Sequence, residues 1–235
     1  MKQLILIRHA ESVYNAANTF TGIIDCELTK QGQAFALLAG QHLSHLPLTR
    51  VFTSSLKRAI KTAKAIASLQ ETTPTVTQNA ALNERDYGDL SGMCKQKAID
   101  IYGREQVAQW RRAQHSKPPG GESLDDAQKR VLTYYHQVIV PAFKQYDYLT
   151  IVAHGNSIRA LVAHLLKLTA EELFKTEVGW TEPILIQLTP QDTHYMPKSI
   201  TIYRNKKTPK ATQLVTSNHA IQTIWMNDVH PSHSH

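Results

Sequence analysis

Two histidines stand where an α/β sheet usually binds its ligands. His9 follows an apolar run at residues 4–7, and His154 follows a β-branched, apolar run at residues 148–153. Both runs are typical of buried parallel strands, whose carboxyl ends form the ligand-binding edge of such a sheet. An imidazole is a nucleophile near neutral pH without strong activation, and it can carry a phosphoryl group. The two positions are therefore candidates for group transfer through a histidine, and a purely structural role in the core is the alternative for each of them.

Charged side chains near these histidines suit phosphoryl transfer. This reaction needs cationic donors around the equatorial oxygens more than it needs covalent chemistry, and guanidinium groups match phosphate oxygens. Arg8, Arg58 and a protonated His154 are candidates for that role. Glu84, on an irregular segment, is a candidate proton carrier for the leaving or entering hydroxyl. This set of residues requires no metal.

The apolar pattern predicts that strands and helices alternate along the chain. Strands are expected at residues 4–7, 50–53, 75–77, 148–153, 184–188 and 199–203, and helices at residues 29–46, 54–67, 95–113, 123–141 and 157–168. Thr29 is a predicted N-cap, and Pro141 is expected to end or bend its helix. Such alternation favours a three-layer α/β sandwich with a mostly parallel central sheet flanked by helices.

The composition is that of an ordinary globular protein. The chain has 235 residues, of which 42% are hydrophobic and 19% charged, and this excludes wholesale disorder and coiled coil. The early run at residues 4–7 is too short for a membrane span or a signal-peptide core, and the two cysteines are too few for a disulfide framework. We expect a cytoplasmic protein with one catalytic domain at residues 1–205 and a tail at residues 206–235.

The net charge of +7 is compatible with several kinds of anionic partner. The basic residues are dispersed, which favours a concave site for a small anion over a nucleic-acid stripe. We expect neither a nucleic acid nor a membrane as partner. The tail lysines Lys206, Lys207 and Lys210 are interpreted as solvated, and the final His230, His233 and His235 as a disordered end rather than a metal site.

Four motifs together resemble the histidine phosphatase superfamily. They are Arg8-His9-Ala10-Glu11-Ser12 with Asn15, residues 53–63 around Arg58, residues 82–88 around Glu84, and residues 153–161 around His154. Further segments narrow the resemblance to the 2,3-bisphosphoglycerate-dependent phosphoglycerate mutases. These are Phe20-Thr21-Gly22, Gly92 with Lys95, Tyr102-Gly103 and Trp110-Arg111-Arg112.

The resemblance implies a role for each matched position. His9 is phosphorylated during turnover, Arg8, Arg58 and His154 hold the transferred group, and Glu84 is the general acid and base. The implied substrate-binding residues are Ser12, Asn15, Thr21, Gly22, Tyr87, Lys95, Arg111, Arg112, Gly155 and Asn156. The implied reaction interconverts 3-phosphoglycerate and 2-phosphoglycerate, is primed by 2,3-bisphosphoglycerate and uses no metal. The resemblance also implies a homodimer or homotetramer.

Three features depart from the family pattern. Ala10 replaces a glycine, and a left-handed Ala10 would strain its loop by about 1 kcal/mol. Residues 177–183 read Glu-Val-Gly-Trp-Thr-Glu-Pro, where the family commonly has Asn-x-Pro-Thr-Gly-x-Pro, and the segment between Arg112 and Glu122 is short. Two alternatives stay open: a phosphatase for another small phosphoester, and a binding module without turnover. Lys95, Arg111 and Arg112 favour the mutase, whose substrate carries a carboxylate as well as a phosphate.

Overall fold

A computed structural model describes residues 1–191, 194–205 and 211–226. Its strands are β1 (Lys2–Arg8), β2 (Arg50–Thr53), β3 (Thr75–Gln78), β4 (Tyr148–Ala153), β5 (Ile184–Gln191), β6 (His194–Arg204) and β7 (Ile221–Trp225). They form one sheet in the order β3-β2-β4-β1-β5-β6-β7. Strand β5 is antiparallel to both of its neighbours, and the other pairs are parallel. The predicted mostly parallel sheet is confirmed.

Helices cover the sheet on both faces. They are α1 (Val13–Ala16), α2 (Lys30–Leu43), α3 (Lys57–Ala67), α4 (Lys95–Tyr102), α5 (Arg104–Arg112), α6 (Leu124–Tyr134), α7 (Val140–Ala142), α8 (Gly155–Leu166) and α9 (Ala170–Lys175). Leu4 and Leu6 of β1 share a core with α6 and α8, whereas Ile5 and Ile7 share one with α2 and α3. Strand β1 is apolar throughout because both of its faces are buried.

Several predicted helix limits were wrong. The helix expected at residues 95–113 is two helices, because Gly103 interrupts it with a φ of 82°. Helix α3 begins at Lys57 rather than at the Ser54-Ser55 pair. The expectation for Pro141 is confirmed: α6 passes through a π turn at Tyr135–Ile139 into α7, which ends at Ala142, one residue beyond Pro141.

The C-terminal region has regular structure that the sequence pattern did not predict. Strand β7 pairs in parallel with β6, and Gln213 forms a two-way backbone bridge with Glu177. The lysines at 206, 207 and 210 and the histidines at 230, 233 and 235 lie outside the described residues, and the domain limit at residue 205 stays a prediction. Within the described part of the chain, no helix is long and apolar enough to span a membrane.

Candidate active site

The pairing of β1 with β4 brings the two predicted histidines together. Arg8 is in register with Ala153, and the backbone N–H of His9 donates to the Ala153 carbonyl at 2.9 Å. The next residues on the two strands are therefore neighbours, with the His9 and His154 ring centroids 4.9 Å apart. This is the carboxyl edge of the parallel part of the sheet, where such folds bind ligands.

A cavity opens over His9, and most of the predicted residues line it. They are Arg8, His9, Asn15, Thr21, Gly22, Arg58, Glu84, Tyr87, Lys95, Arg111, Arg112, Gly155 and Asn156. Ser12 and His154 lie behind this surface and are fully buried, and the Ser12 hydroxyl caps α1 together with Asn15. The structure thus brings all the predicted positions except Ser12 and His154 to the wall of one cavity, and their roles in binding stay predictions.

A hydrogen bond to the main chain determines which nitrogen of His9 can react. Its Nδ1 lies 2.7 Å from the Ala10 carbonyl oxygen, which can only accept a hydrogen bond. Nδ1 therefore carries the proton, and Nε2 keeps its lone pair. Burial, followed by the charges of Arg58 and Arg8, lowers the pKa of His9 well below its usual range. The imidazole is neutral at pH 7 and suited to nucleophilic attack.

Ala10 does not strain the loop. The non-glycine residues with positive φ in the described part of the chain are Asn18, Lys167 and Thr181, so the left-handed conformation considered for Ala10 does not occur. Ala10 is fully buried, and its N–H donates to the Thr62 hydroxyl at 3.0 Å. The methyl group that replaces a hydrogen here fits the small apolar cluster around it.

His154 is held by Ser54. The His154 Nε2 lies 2.7 Å from the Ser54 hydroxyl, which also accepts the N–H of Leu56 at 3.2 Å. Burial and then the charge of Arg58 lower the pKa of His154 well below its usual range. Burial therefore favours the neutral form of His154, and the protonated form expected to hold a phosphoryl group stays a prediction. Its Nδ1 is buried without a partner among the described residues.

Backbone carbonyls position the two central arginines. Arg58 donates from Nη2 to the Gly22 carbonyl and from Nη1 to the Ile24 carbonyl, both at 2.8 Å. Gly22 has a φ of 53°, and a Cβ there would come within 2.7 Å of the Ser91 hydroxyl, so the turn requires glycine. Arg8 donates from Nη1 to the Val178 carbonyl at 2.8 Å. Burial lowers the pKa of both arginines, although Glu84 acts in the opposite direction.

Glu84 points into the cavity and forms no ion pair with Arg85. Its Oε1 accepts the backbone N–H groups of Arg85 at 2.8 Å and of Asn156 at 3.3 Å. The second oxygen, Oε2, lies 3.7 Å from where a Cβ on Gly155 would stand. The carboxylate is thus oriented by two main-chain donors while one oxygen faces the start of α8.

An ion pair behind the cavity braces the Glu84 segment. Arg130 of α6 donates from Nη1 to the carbonyls of Ala81 at 2.9 Å and Asn83 at 3.2 Å. Glu122 pairs with the Arg130 guanidinium, and its Oε2 accepts the N–H of Asp86 at 3.0 Å. The segment on either side of Glu84 is therefore tied to α6.

Further cations lie away from the histidine pair. Lys95 donates to the Asn18 side chain at 2.9 Å, and Arg112 pairs with Glu177. Arg159 also lines the cavity, although the sequence argument did not select it. Asn156 and Arg159 are three residues apart on α8, a spacing that places both on one helix face. The three-residue spacing from Asn156 could therefore have identified Arg159 as a cavity residue from the sequence.

The unusual segment at residues 177–183 forms one wall of the site. The Val178 carbonyl holds Arg8, and the Trp180 ring lies under its guanidinium at 5.6 Å. Thr181 has a φ of 50° where the family pattern places glycine, and its N–H donates to the Arg8 carbonyl at 3.0 Å. A left-handed β-branched residue is rare and strained, and here it belongs to the contact that supports Arg8.

The amino-acid sequence matches a known protein family and several of its members. The profile of the histidine phosphatase superfamily (branch 1) matches residues 4–196. The chain is 46% identical over 194 residues to a 2,3-bisphosphoglycerate-dependent phosphoglycerate mutase of Bradyrhizobium sp., covering 81% of this chain and 93% of the relative. It is 39% identical to the protein of that name from Chlamydia muridarum over 216 positions, covering 81% of this chain and 96% of the relative.

Solved structures with the same fold include phosphatases. A mycobacterial hydrolase superposes with a TM-score of 0.76 at 23% identity, covering 84% of this chain and 96% of that one. A mycobacterial glucosyl-3-phosphoglycerate phosphatase superposes with a TM-score of 0.73 at 25% identity, with the same coverage of both chains. The fold is therefore shared with enzymes that hydrolyse phosphoesters as well as with the sequence relatives.

Proposed function

The chain belongs to the histidine phosphatase superfamily, and from that premise we propose that it is a 2,3-bisphosphoglycerate-dependent phosphoglycerate mutase. It interconverts 3-phosphoglycerate and 2-phosphoglycerate through a phosphohistidine at His9. Relatives at 38–46% identity carry that name over about four fifths of this chain. We also propose, from the family alone, a cytoplasmic homodimer or homotetramer without a metal.

The observation that carries this proposal is a group of buried donors beside a neutral nucleophile. The Nε atoms of Arg8 and Arg58 and the Nδ1 of His154 have no partner among the described residues. Buried polar groups in proteins are nearly always hydrogen-bonded, so the unpaired guanidinium N–H donors of Arg8 and Arg58 indicate a ligand that accepts hydrogen bonds, and His154 Nδ1 becomes a third donor when that ring is protonated. The oxygens of a phosphoryl group meet that requirement, and the guanidinium charges suit its negative charge.

The first half of the reaction moves a phosphoryl group onto His9. 2,3-Bisphosphoglycerate, when bound, supplies the group that primes the enzyme. His9 attacks phosphorus through Nε2, and the P–O bond to the ester oxygen of the glycerate breaks as the N–P bond forms. Glu84 donates a proton to the departing oxygen, while Arg8, Arg58 and His154 hold the equatorial oxygens. An incoming dianion favours the protonated form of His154 and so strengthens this contact.

In the second half, phospho-His9 passes its phosphoryl group to the free hydroxyl of a bound monophosphoglycerate, and isomerisation follows when the bisphosphorylated product reorients and gives its other phosphoryl group to His9. Glu84, now ionised, takes the proton of the attacking hydroxyl, and the N–P bond breaks as the new P–O bond forms. Lys95, Arg111 and Arg112 line the same cavity and suit the carboxylate and the second phosphate. Their charges retain the bisphosphorylated intermediate while it reorients within the cavity and presents its other phosphoryl group to His9.

A steady-state assay tests this proposal. The conversion of 3-phosphoglycerate to 2-phosphoglycerate is followed together with free phosphate, with and without added 2,3-bisphosphoglycerate. We expect isomerisation that the bisphosphate stimulates, with little phosphate released, and loss of turnover in His9→Ala. Phosphate release without isomerisation would instead identify a phosphatase. Undiminished turnover in His9→Ala would exclude any phosphohistidine mechanism.

A phosphatase for a different phosphoester is the second candidate. The fold shared with solved phosphatases favours it, and its chemistry is identical up to the phosphohistidine. The two reactions differ in the acceptor, which is water in one and a substrate hydroxyl in the other. The three extra cations favour the mutase because they serve an acceptor that is itself anionic.

A further inference from the structure

Glu177 places a negative charge inside a cavity built from cations. It lines the same cavity as His9, and its carboxylate pairs with the Arg112 guanidinium. Its side chain keeps 40% of its surface exposed, so the charge faces the space that a ligand enters. Glu177 is not among the residues whose types indicated phosphoryl transfer, because a carboxylate here opposes the binding of an anion.

The main chain holds Glu177 in this position. Its N–H donates to the Gln213 carbonyl at 2.8 Å, and the Gln213 N–H donates back at 2.9 Å. The following residue, Val178, accepts from Arg8. The carboxylate is therefore carried by a segment fixed on both sides, and only its side-chain torsions are free to move it away from a ligand.

Three guanidinium groups act on the carboxylate, Arg112 through direct contact and Arg159 and Arg8 through their charges. Burial of Glu177 acts to raise its pKa, but the hydrogen bond from Arg112 and the charges of Arg159 and Arg8 outweigh it, so the net pKa is lowered. Burial lowers the pKa of Arg159 to about 10, and the charge of Glu177 counteracts that effect. Glu177 is thus ionised at neutral pH and acts as the counter-ion of this group when no ligand is bound.

We propose that Glu177 is a specificity-determining residue, a resident anion that weakens the binding of bisphosphorylated ligands more than that of monophosphorylated ones. The inference rests on the proposed function, since it concerns the second phosphate of the mutase's ligands. A second phosphate brings up to two further negative charges toward Arg112, and repulsion grows with the ligand's charge. The consequence is that the bisphosphorylated form binds less tightly than the cations alone would allow, and substrate competes with it more effectively.

The experiment compares affinities in the absence of transfer. A His9→Gln background removes the phosphoryl acceptor, so calorimetry at low salt reports binding alone. Dissociation constants for 2,3-bisphosphoglycerate and 3-phosphoglycerate are measured with Glu177 intact, with Glu177→Gln and with Glu177→Asn, the residue of the family pattern. Glu171→Gln is the matched control, because it removes the same charge from an exposed ion pair with Lys175 on α9.

We expect both Glu177 variants to bind 2,3-bisphosphoglycerate on the order of tenfold more tightly, and 3-phosphoglycerate only a few-fold more tightly. Glu171→Gln should leave both constants unchanged. Weaker binding of both ligands in the Glu177 variants, with thermal unfolding unchanged, would show that Glu177 only positions Arg112, and would overturn the inference. An equal gain for both ligands would also overturn it.

The outcome is separable from that of the proposed function. If the chain with His9 intact fails to isomerise phosphoglycerate but the affinity ratio changes as expected, the mutase assignment fails and the charge selectivity of Glu177 stands. If isomerisation is observed and the ratio does not change, only the inference about Glu177 fails.

Discussion

The hydrogen bond between His9 Nδ1 and the Ala10 carbonyl, at 2.7 Å, decides which imidazole nitrogen can react. A carbonyl accepts only, so it fixes the tautomer with the lone pair on Nε2. Because the bond is made by the main chain of the next residue, the replacement of glycine by Ala10 leaves it intact. The orientation of the nucleophile therefore depends on backbone geometry and not on a second side chain.

The first prediction concerns the site of phosphorylation. We expect the phosphoryl group on Nε2 of His9 and none on Nδ1, because Nδ1 is already engaged with Ala10. Phosphorus NMR of the phosphorylated protein distinguishes the two isomers, and the protein with His9→Ala provides the blank. A signal from the Nδ1 isomer would show that the hydrogen bond to Ala10 does not persist during the reaction.

The second prediction concerns stability in mild acid. His9 and His154 have lowered pKa values in the folded protein, mainly through burial, whereas in the unfolded chain they titrate near 6.5. Below that pH the unfolded chain binds protons that the folded protein does not, so the free energy of unfolding falls as the pH falls. For each of the two histidines the expected slope is about 0.7 kcal/mol per pH unit at pH 6.5 and approaches about 1.4 kcal/mol per pH unit well below it.

Urea denaturation between pH 7 and pH 5.5 measures this slope. The partly buried His42 and the largely exposed His164, whose pKa values partial desolvation also lowers, add a smaller effect of the same sign. A His154→Asn variant should show a shallower dependence on pH, whatever its absolute stability. An unchanged free energy of unfolding across this range would mean that the two central histidines are not held neutral.

The third prediction concerns the brace behind Glu84. Arg130→Ala removes donors to the Ala81 and Asn83 carbonyls and the partner of Glu122. We expect kcat to fall by about tenfold to a hundredfold with a smaller change in KM, because small displacements of a catalytic group are costly. Lys129→Ala, a neighbouring exposed position on α6, is the control. Equal kcat values for the two variants would exclude a positioning role for Arg130.

The fourth prediction concerns Gly88, where two backbone segments cross. Gly88 has a φ of 51°, and a Cβ there would come within 2.1 Å of the Pro119 carbonyl oxygen. Gly103 also has positive φ but has no atom within 4 Å of its would-be Cβ. Gly103→Ala should therefore cost about 1–3 kcal/mol from backbone strain alone. Gly88→Ala should lower the free energy of unfolding by roughly 1–3 kcal/mol more than Gly103→Ala does, because the added methyl group overpacks the crossing. Urea unfolding of both variants measures the difference.

Much of the site could be predicted because strand ends are local features. An apolar run followed by Arg8-His9, and another followed by His154, specify both the strands and the groups at their carboxyl ends. The rule for parallel sheets places both strand ends at one edge of the sheet, whereas the β1 and β4 pairing that makes them neighbours joins distant segments and was not predicted from the sequence. Thr29 was likewise predictable as an N-cap, since its hydroxyl accepts the N–H of Gly32 within the same turn.

The features that sequence reasoning missed depend on contacts between distant segments. Glu177 reaches the cavity through its bridge to Gln213, and no local pattern connects the two. Strand β7 is short and half-exposed, so it lacks the apolar run that marked β1 and β4. The neutral state of His154 also depends on complete burial beside Arg58, which a motif does not report. Gly103, by contrast, is a local signal: a glycine that separates α4 from α5, inside a segment whose other residues favour one continuous helix.

The most direct test of the central claim follows the phosphoryl group in a single turnover. The protein is phosphorylated with radiolabelled 2,3-bisphosphoglycerate, freed of ligand, and mixed with an excess of unlabelled 3-phosphoglycerate. We expect the label to leave His9 rapidly and to appear in bisphosphoglycerate and phosphoglycerate. Label that appears as inorganic phosphate, at a rate that 3-phosphoglycerate does not change, would contradict transfer to a substrate hydroxyl and make water the acceptor.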